Sequence, residues 1–348
     1  MNKRTIRVMY PLKPDSKDRL VLRVSLDDWD KDVSPILHTN NNFVFEVETE
    51  EPYFHFKPCL YQDGELKWSV GSNYLSPHPQ ERLLFPNFHS EPFGTISELQ
   101  TLESKEGSSY RFRIYLPPGY EENTLSHYPV CYMHDGHNLF FPHEAFAGAT
   151  WKVRETVELL DRMNSIEACI VVAIYPNDRL HDYTEPGCEQ YATFLREKLI
   201  PHIEENYRTH VGPEHRVVMG SSLGGLISFY LAWYHDDVFG RAACLSSTFG
   251  YDNALFEAVK EDKRRRQMKL YLDSGWPGDN FEVTQAMVHL LLAQGYVQGD
   301  HIHYVAVPQA THDEFAWGSR LHLPFQFLLG LSYGADETID SPGSPFAA

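Results

Sequence analysis

The sequence predicts an α/β fold, a mostly parallel central sheet covered on both faces and preceded by a small all-β sandwich. Three observations lead there. From about residue 94 onward, six short apolar runs alternate with helix-like segments. Strands buried on both faces read as continuous apolar runs, and their alternation with helices is the pattern of parallel βαβ units. Before that point apolar and polar residues alternate singly between turn signals, as half-buried antiparallel strands do. Between the two patterns, the stretch from Leu75 to Gly94, which contains Pro77, Pro79, Pro86 and Pro92, breaks every period and reads as a linker.

Taken in order, the first strand candidates are Thr5 to Tyr10, Leu20 to Leu26, Phe43 to Val47 and Tyr53 to Lys57. Pro14-Asp15-Ser16, Asn40-Asn41-Asn42 and Gln62-Asp63-Gly64 supply the turns. Arg111 to Leu116 alternates, and Pro117-Pro118-Gly119-Tyr120 then reverses the chain. The buried strands follow: Val130 to Met133, Ala168 to Ile174, Val217 to Met219, Ala242 to Leu245, Lys269 to Leu272 and His303 to Val307. Helix candidates between them are Val153 to Met163, Tyr191 to Glu205, Leu223 to Trp233 and Val283 to Leu292. Beyond Tyr333 the chain is acidic and rich in Ser, Pro and Gly, the composition of a disordered tail. The expected division is a sandwich plus linker over residues 1–92, a catalytic unit over 93–333 and a tail over 334–348.

A length of 348 residues fits two domains better than one, and 42% apolar with 14% aromatic residues supplies cores for both. The net charge of −18 argues against nucleic acid or an anionic membrane as partner, because surfaces that bind phosphate are basic. The opening residues carry no apolar signal core, and no later run is long enough to span a membrane. Cys59, Cys131, Cys169, Cys188 and Cys244 are odd in number, form no CxxC pair and include several in apolar runs, as reduced buried thiols would. A soluble, cytoplasmic protein acting on a small molecule is the expectation.

The chemistry centres on Gly220-Ser221-Ser222-Leu223-Gly224, where an apolar strand gives way to a helix. A turn that tight tolerates only glycine two residues either side of the serine, and it holds the Ser222 hydroxyl out beside a helix N-terminus. A serine hydroxyl is a weak nucleophile at neutral pH, so it needs a base within hydrogen-bond reach and an acid to orient that base. When the nucleophile sits on such an elbow, the acid and then the histidine follow on loops after later strands, the order of an α/β-hydrolase. His312, in the loop after His303 to Val307, is the expected base among the 18 histidines. The loop after Lys269 to Leu272 offers Asp279 as the acid, with Asp273 as the alternative. The oxyanion donors are the amide of Leu223 and, from the loop His134-Asp135-Gly136-His137, that of Gly136. His137 beside it and Arg179, after the run ending at Ile174, are candidate substrate contacts. No cofactor and no metal are implied.

Together, Tyr115-Leu116-Pro117-Pro118-Gly119-Tyr120, the run from Tyr132 through His134-Asp135-Gly136 to Phe140, the Ser222 elbow and the Asp279 and His312 loops resemble the putative-esterase branch of α/β-hydrolases. That group contains enterochelin (ferric-siderophore) esterases, feruloyl esterases and mycolyltransferases. The resemblance covers roughly residues 94 to 333, and it implies a Ser–Asp/Glu–His triad that works without a cofactor. One departure is that the family often places its acid three residues after the loop glycine, where this chain has Gly278 and then Asp279. Phe54-His55-Phe56-Lys57 and Trp68 to Asn73 resemble the early-set sandwich that precedes the catalytic domain in enterochelin esterases, similar also to glycogen-binding modules.

The expected activity is carboxylic ester hydrolysis through an acyl-enzyme. Three alternatives are hydrolysis of a siderophore trilactone, acyl transfer to an alcohol, and a non-catalytic carbohydrate- or ligand-binding protein on the same fold. An anionic iron chelate would call for basic residues near the cleft, for which Lys152, Arg179 and Arg241 are the candidates. Trp29, Tyr61 and Trp68 have the flat faces that stack on sugars, although aromatic residues more commonly serve burial. The first domain could also wall the active site, as two-domain clefts do.

Overall fold

The computed structural model describes residues 2–13, 16–76, 82–89 and 93–331. Parts of the expected linker (77–81 and 90–92), the turn residues Pro14 and Asp15, and the expected tail over 334–348 lie outside the described residues.

The alternating N-terminal region forms β1 (Asn2–Met9), β2 (Arg19–Val24), β3 (Leu37–Thr39), β4 (Asn42–Thr49), β5 (Phe54–Gln62), β6 (Glu65–Trp68), β7 (Tyr74–Ser76) and β8 (Arg82–Leu84). They make two sheets, ordered β3-β4-β1-β8 and β2-β5-β6, with β7 also on β5. Ile6, Val8, Phe43 and Phe45 from the first sheet meet Leu20, Leu22, Phe54 and Phe56 from the second in one core. These alternate residues all point inward because side chains along a strand repeat every second position.

Among the described residues, the remaining strands form one nine-stranded sheet. They are β9 (Thr95–Ile96), β10 (Gln100–Glu103), β11 (Ser109–Leu116), β12 (Val130–Met133), β13 (Ile170–Tyr175), β14 (Arg216–Ser221), β15 (Arg241–Leu245), β16 (Lys269–Trp276) and β17 (Ile302–Pro308). The order is β10-β11-β13-β12-β14-β15-β16-β17, with β9 on β11, and every pair from β13 to β17 is parallel.

Helices cover both faces. On one side lie α1 (Val153–Arg162) and, at the end of the described chain, a helix over His322–Leu329. The other side carries α2 (Arg179–Tyr183), α3 (Cys188–Phe194), α4 (Ile200–Asn206), α5 (Leu223–Tyr234), α6 (Ala254–Glu261) and α7 (Phe281–Ala293). After β17 comes α8 (Glu314–Ser319), and His322–Leu329 is α9. Cys131, Met133, Val171, Ala173, Val217 and Met219 face α1 and α9, whereas Val130, Tyr132, Ile170, Val172 and Val218 face the other layer. Two-sided burial explains why these strands read as unbroken apolar runs, and each fully buried Val, Ile or Leu contributes about 1.5–3 kcal/mol.

The sandwich docks on the edge of the large sheet where the parallel strands begin. Glu122, in the turn after β11, accepts from Tyr10 Oη at 3.0 Å and from the amides of Phe88 and His89 at 2.6 and 2.9 Å. Asn123 Nδ2 donates to the carbonyls of Met9 and Pro86 at 3.0 and 2.8 Å. At the end of α1, the amide of Ser72 donates to the carbonyl of Arg162 at 2.8 Å. This corrects the idea of a wall for the active site, because Ser222 follows the last residue of β14, at the opposite edge. A cavity of about 390 Å³ lies at the junction, lined by Leu83, Phe85, Tyr128, Asp161 and Ile166 among others, and none of Ser222, Asp279 or His312 borders it.

Candidate active site

Ser222 stands between β14 and α5 with φ 56° and ψ −119°. That left-handed conformation is costly for a residue with a Cβ and survives only when its surroundings force it. Two bonds, to the end of β15 and to the turn after it, do so: the Ser222 amide donates to the carbonyl of Leu245 at 2.9 Å, and the Thr248 amide donates to the carbonyl of Ser222 at 3.3 Å. A Cβ on Gly220 would lie 2.6 Å from the backbone of Gly224, which is why glycine occupies the position two before the serine. The amide of Leu223 opens α5, whose N-terminus carries the positive end of the helix dipole.

Asp279 and His312 lie on the loops after β16 and β17, two and three strands along, and His312 Nδ1 donates to Asp279 Oδ1 at 2.5 Å. A carboxylate only accepts, so this contact fixes the imidazole tautomer and leaves Nε2 as the basic nitrogen. The ring also stands edge-on against Trp317, with centroids 4.9 Å apart. Among the described residues, neither the Ser222 hydroxyl nor His312 Nε2 makes a hydrogen bond. Such contacts are often long in unliganded hydrolases and tighten with substrate.

Asp279 is 2% exposed, and its second oxygen accepts from Ser246 Oγ at 2.6 Å and from the Gly275 amide at 2.7 Å. Burial by itself raises this carboxyl, but the bonds from His312, Ser246 and Gly275 outweigh it and hold the group below the usual carboxylate range. Asp279 therefore stays ionised at neutral pH, as an orienting acid must.

Asp273 is differently placed. The sequence puts the end of its strand at Leu272, but β16 continues to Trp276, which draws Asp273 into the sheet. There it is fully buried and takes Arg320 Nε and Nη2 at 2.9 and 3.1 Å, Tyr271 Oη at 3.0 Å and the Ser246 amide at 3.2 Å. It makes no hydrogen bond or ion pair with His312 among the described residues. Ser246 joins the two carboxylates: its hydroxyl, bonded to Asp279, also receives Trp317 Nε1 at 3.0 Å and Arg320 Nη2 at 2.7 Å. Sequence reasoning missed Ser246, Trp317 and Arg320. Only the position of Ser246 directly after an apolar strand hinted at the first, and Arg320 carries no local signal.

The loop after β12 lies over the start of α5. The His134 amide donates to the carbonyl of Met219 at 2.9 Å, and a Cβ on Gly224 would meet Asp135 Oδ2 at 3.2 Å. Asp135 adopts φ 54° and Gly136 opens a short 3-10 turn, packed so closely that a Cβ there would lie 2.7 Å from the Ala173 carbonyl carbon. His134 is fully buried with Nδ1 3.0 Å from Tyr191 Oη, and burial pulls its imidazole down to about 4, so it is neutral at pH 7. Half-buried His137 lies against Tyr175. Arg179, expected to face substrate, turns its fork onto Asp135, with Nε to Oδ1 and Nη2 to Oδ2 both at 2.8 Å.

A nine-stranded, mostly parallel sheet with a serine elbow at the strand ends and an Asp–His pair on later loops defines the α/β-hydrolase class. Residues 104–326 match the family described as Putative esterase, and the chain belongs to it. The sequence is similar to the uncharacterized protein YbbA of Bacillus subtilis (strain 168), 28% identical over 171 residues. That match spans 44% of this chain and 63% of YbbA, a little under two thirds of that relative's length. Among solved structures, a ferulic acid esterase superposes with a TM-score of 0.58 at 22% identity, covering 68% of this chain and 98% of its own. The enterobactin esterase FES from Shigella flexneri superposes with a TM-score of 0.54 at 15% identity over 93% of this chain and 92% of its own. At these identities the structural likeness speaks for the fold.

Proposed function

We propose that this protein hydrolyses an uncharged carboxylic ester through an acyl-enzyme on Ser222. His312 is the general base, Asp279 orients it, and the amides of Leu223 and Gly136 stabilise the oxyanion. The observation that carries this reading is the convergence of the positive-φ Ser222 and the Asp279–His312 pair at one sheet edge, linked through Leu245 and Ser246. In this scheme His312 Nε2 takes the Ser222 proton as Oγ attacks the ester carbonyl, and returns it to the departing alkoxide. Water, deprotonated by the same nitrogen, then cleaves the acyl-enzyme.

The division into a sandwich over residues 1–92 and a catalytic unit over 93–333 belongs to the same proposal, supported by a sandwich core separate from the two cores of the large sheet. A reducing, cytoplasmic setting accords with five buried free thiols.

The charge distribution favours an uncharged ester over an anionic siderophore chelate. Two of the three basic candidates are turned elsewhere, which leaves only exposed Lys152 before α1: Arg179 is committed to Asp135, and Arg241 starts β15 at the far edge, where it donates to the carbonyl of Leu328. Phe146 and Tyr251 follow β12 and β15, Trp276 ends β16 and Phe315 lies in α8 after β17; each is about half exposed or more, and together they suit an apolar or aromatic ester group. The test is a panel of neutral aryl and alkyl esters set against sugar acetates and a ferric trilactone chelate, with and without an alcohol acceptor. Highest kcat/KM on neutral apolar esters supports the reading; preference for the chelate would reverse it.

A further inference from the structure

We propose that Arg179 is a positioning residue that fastens the oxyanion loop to the nucleophile elbow. The proposal rests on the Ser222 reading above. Gly136, the loop donor, follows Asp135, whose φ of 54° is left-handed and whose side chain is almost fully buried. A residue strained in this way holds its place only if the surroundings over-determine it. Three contacts from the segment after β13 do so. Arg179 grips both carboxylate oxygens of Asp135 at 2.8 Å, and the Asp135 amide donates to Tyr183 Oη at 3.1 Å. Arg179 Nη2 also reaches the carbonyl of Ser221 at 3.4 Å, one residue before the nucleophile.

The guanidinium therefore touches the residue preceding Gly136 and the residue preceding Ser222, whose successor Leu223 supplies the other donor. One planar fork sets the spacing between the two amides on which oxyanion stabilisation depends, and that stabilisation falls steeply with misplacement. A lysine would keep the charge and lose the fork. Arg179 is itself held: Asp178 caps α2 by accepting from the amides of Leu180 and His181 at 3.1 and 3.2 Å. The Arg179 side chain remains 36% exposed, so deleting it opens a path from solvent to the Asp135 carboxylate.

The experiment measures kcat and KM on a neutral ester and on a matched ester bearing a free carboxylate, for wild type, Arg179→Ala, Arg179→Lys and Ser222→Ala. Arg179→Ala should lose about 100-fold in kcat on both esters with KM little changed, the size of losing one oxyanion donor. Guanidinium ion at tens of millimolar, below denaturing levels, should restore part of that loss. Arg179→Lys, which preserves bulk and charge, should lose about tenfold in kcat, and decides the matter if the alanine variant does not fold. Unchanged kcat with KM raised only for the anionic ester would overturn the proposal and make Arg179 a reader of substrate charge. A kcat loss that guanidinium leaves untouched would overturn it as well. Activity surviving in Ser222→Ala would instead sink the Ser222 reading, so the two failures are told apart.

Discussion

The two edges of the large sheet solve the same problem, polar groups brought out of water, in opposite ways. At the edge where the parallel strands end, buried charges lock one another. Asp273 is saturated by Arg320, Tyr271 and the Ser246 amide, Asp279 by His312, Ser246 and Gly275, and Asp135 by Arg179. At the edge where they begin, Glu122 and Asn123 join the sandwich mostly through its backbone, beside a cavity where Asp161 makes no side-chain hydrogen bond among the described residues. Buried charges are tolerated only when paired and hydrogen-bonded, and a reacting constellation requires its neighbours fixed in one geometry. On the proposed function the first edge serves chemistry, and the second serves attachment of the sandwich.

The contrast is broken most severely at Asp279. Asp279→Asn should leave the fold near wild-type stability and lower kcat by about 10⁴-fold, because the amide stabilises the wrong imidazole tautomer. The neighbouring carboxylate should behave in the reverse sense. Asp273→Ala strands Arg320 in the interior, so urea unfolding should report a loss of about 3–5 kcal/mol while the folded fraction keeps most of its kcat. If the activity loss falls on Asp273 and the stability loss on Asp279, their assigned parts are exchanged.

A third test uses His134. Its unfolded form binds a proton below pH 6.5 and its buried form only near pH 4, so the unfolded state holds more protons in that window and stability must rise with pH across it. Unfolding free energy should drop by about 3 kcal/mol as pH falls from 6.5 to about 4, at about 1.4 kcal/mol per pH unit. His134→Asn should flatten that slope; an unchanged slope assigns the acid sensitivity elsewhere. The smallest effect belongs to the other edge. Glu122→Ala removes an acceptor from Tyr10 and two amides and should cost about 1–3 kcal/mol without altering kcat/KM. A fall in kcat/KM would mean that the edges communicate.

How much of this was legible in the sequence follows from the range of the forces involved. The Ser222 elbow is a local steric demand, so it is written in consecutive residues as glycines and a periodicity change. The parallel strands, buried on both sides, show as apolar runs whose limits fall within about two residues of those observed, β16 excepted. There Asp273-Ser274-Gly275 has the composition of a loop and is kept in the strand by pairing with Val305 to Val307 of β17, while Arg320, 47 positions away, neutralises Asp273. Short strands such as β3, β6 and β7 are held by pairing rather than by their own pattern, and none was anticipated. The same holds for Ser246, whose meaning lies in distant partners that include Asp273, Asp279, Trp317 and Arg320, and for Arg179, which reads as a loop cation until Asp135 is seen beneath it. Nothing in the sandwich sequence announces which edge it docks on.

The central claim, that Ser222 is the nucleophile of this edge, is tested most directly by fluorophosphonate labelling followed by peptide mass spectrometry on wild type, Ser222→Ala and Ser221→Ala. The account predicts one adduct on the peptide containing Ser222 in wild type and in Ser221→Ala, and none in Ser222→Ala. An adduct on another peptide, or labelling that persists in Ser222→Ala, would contradict it.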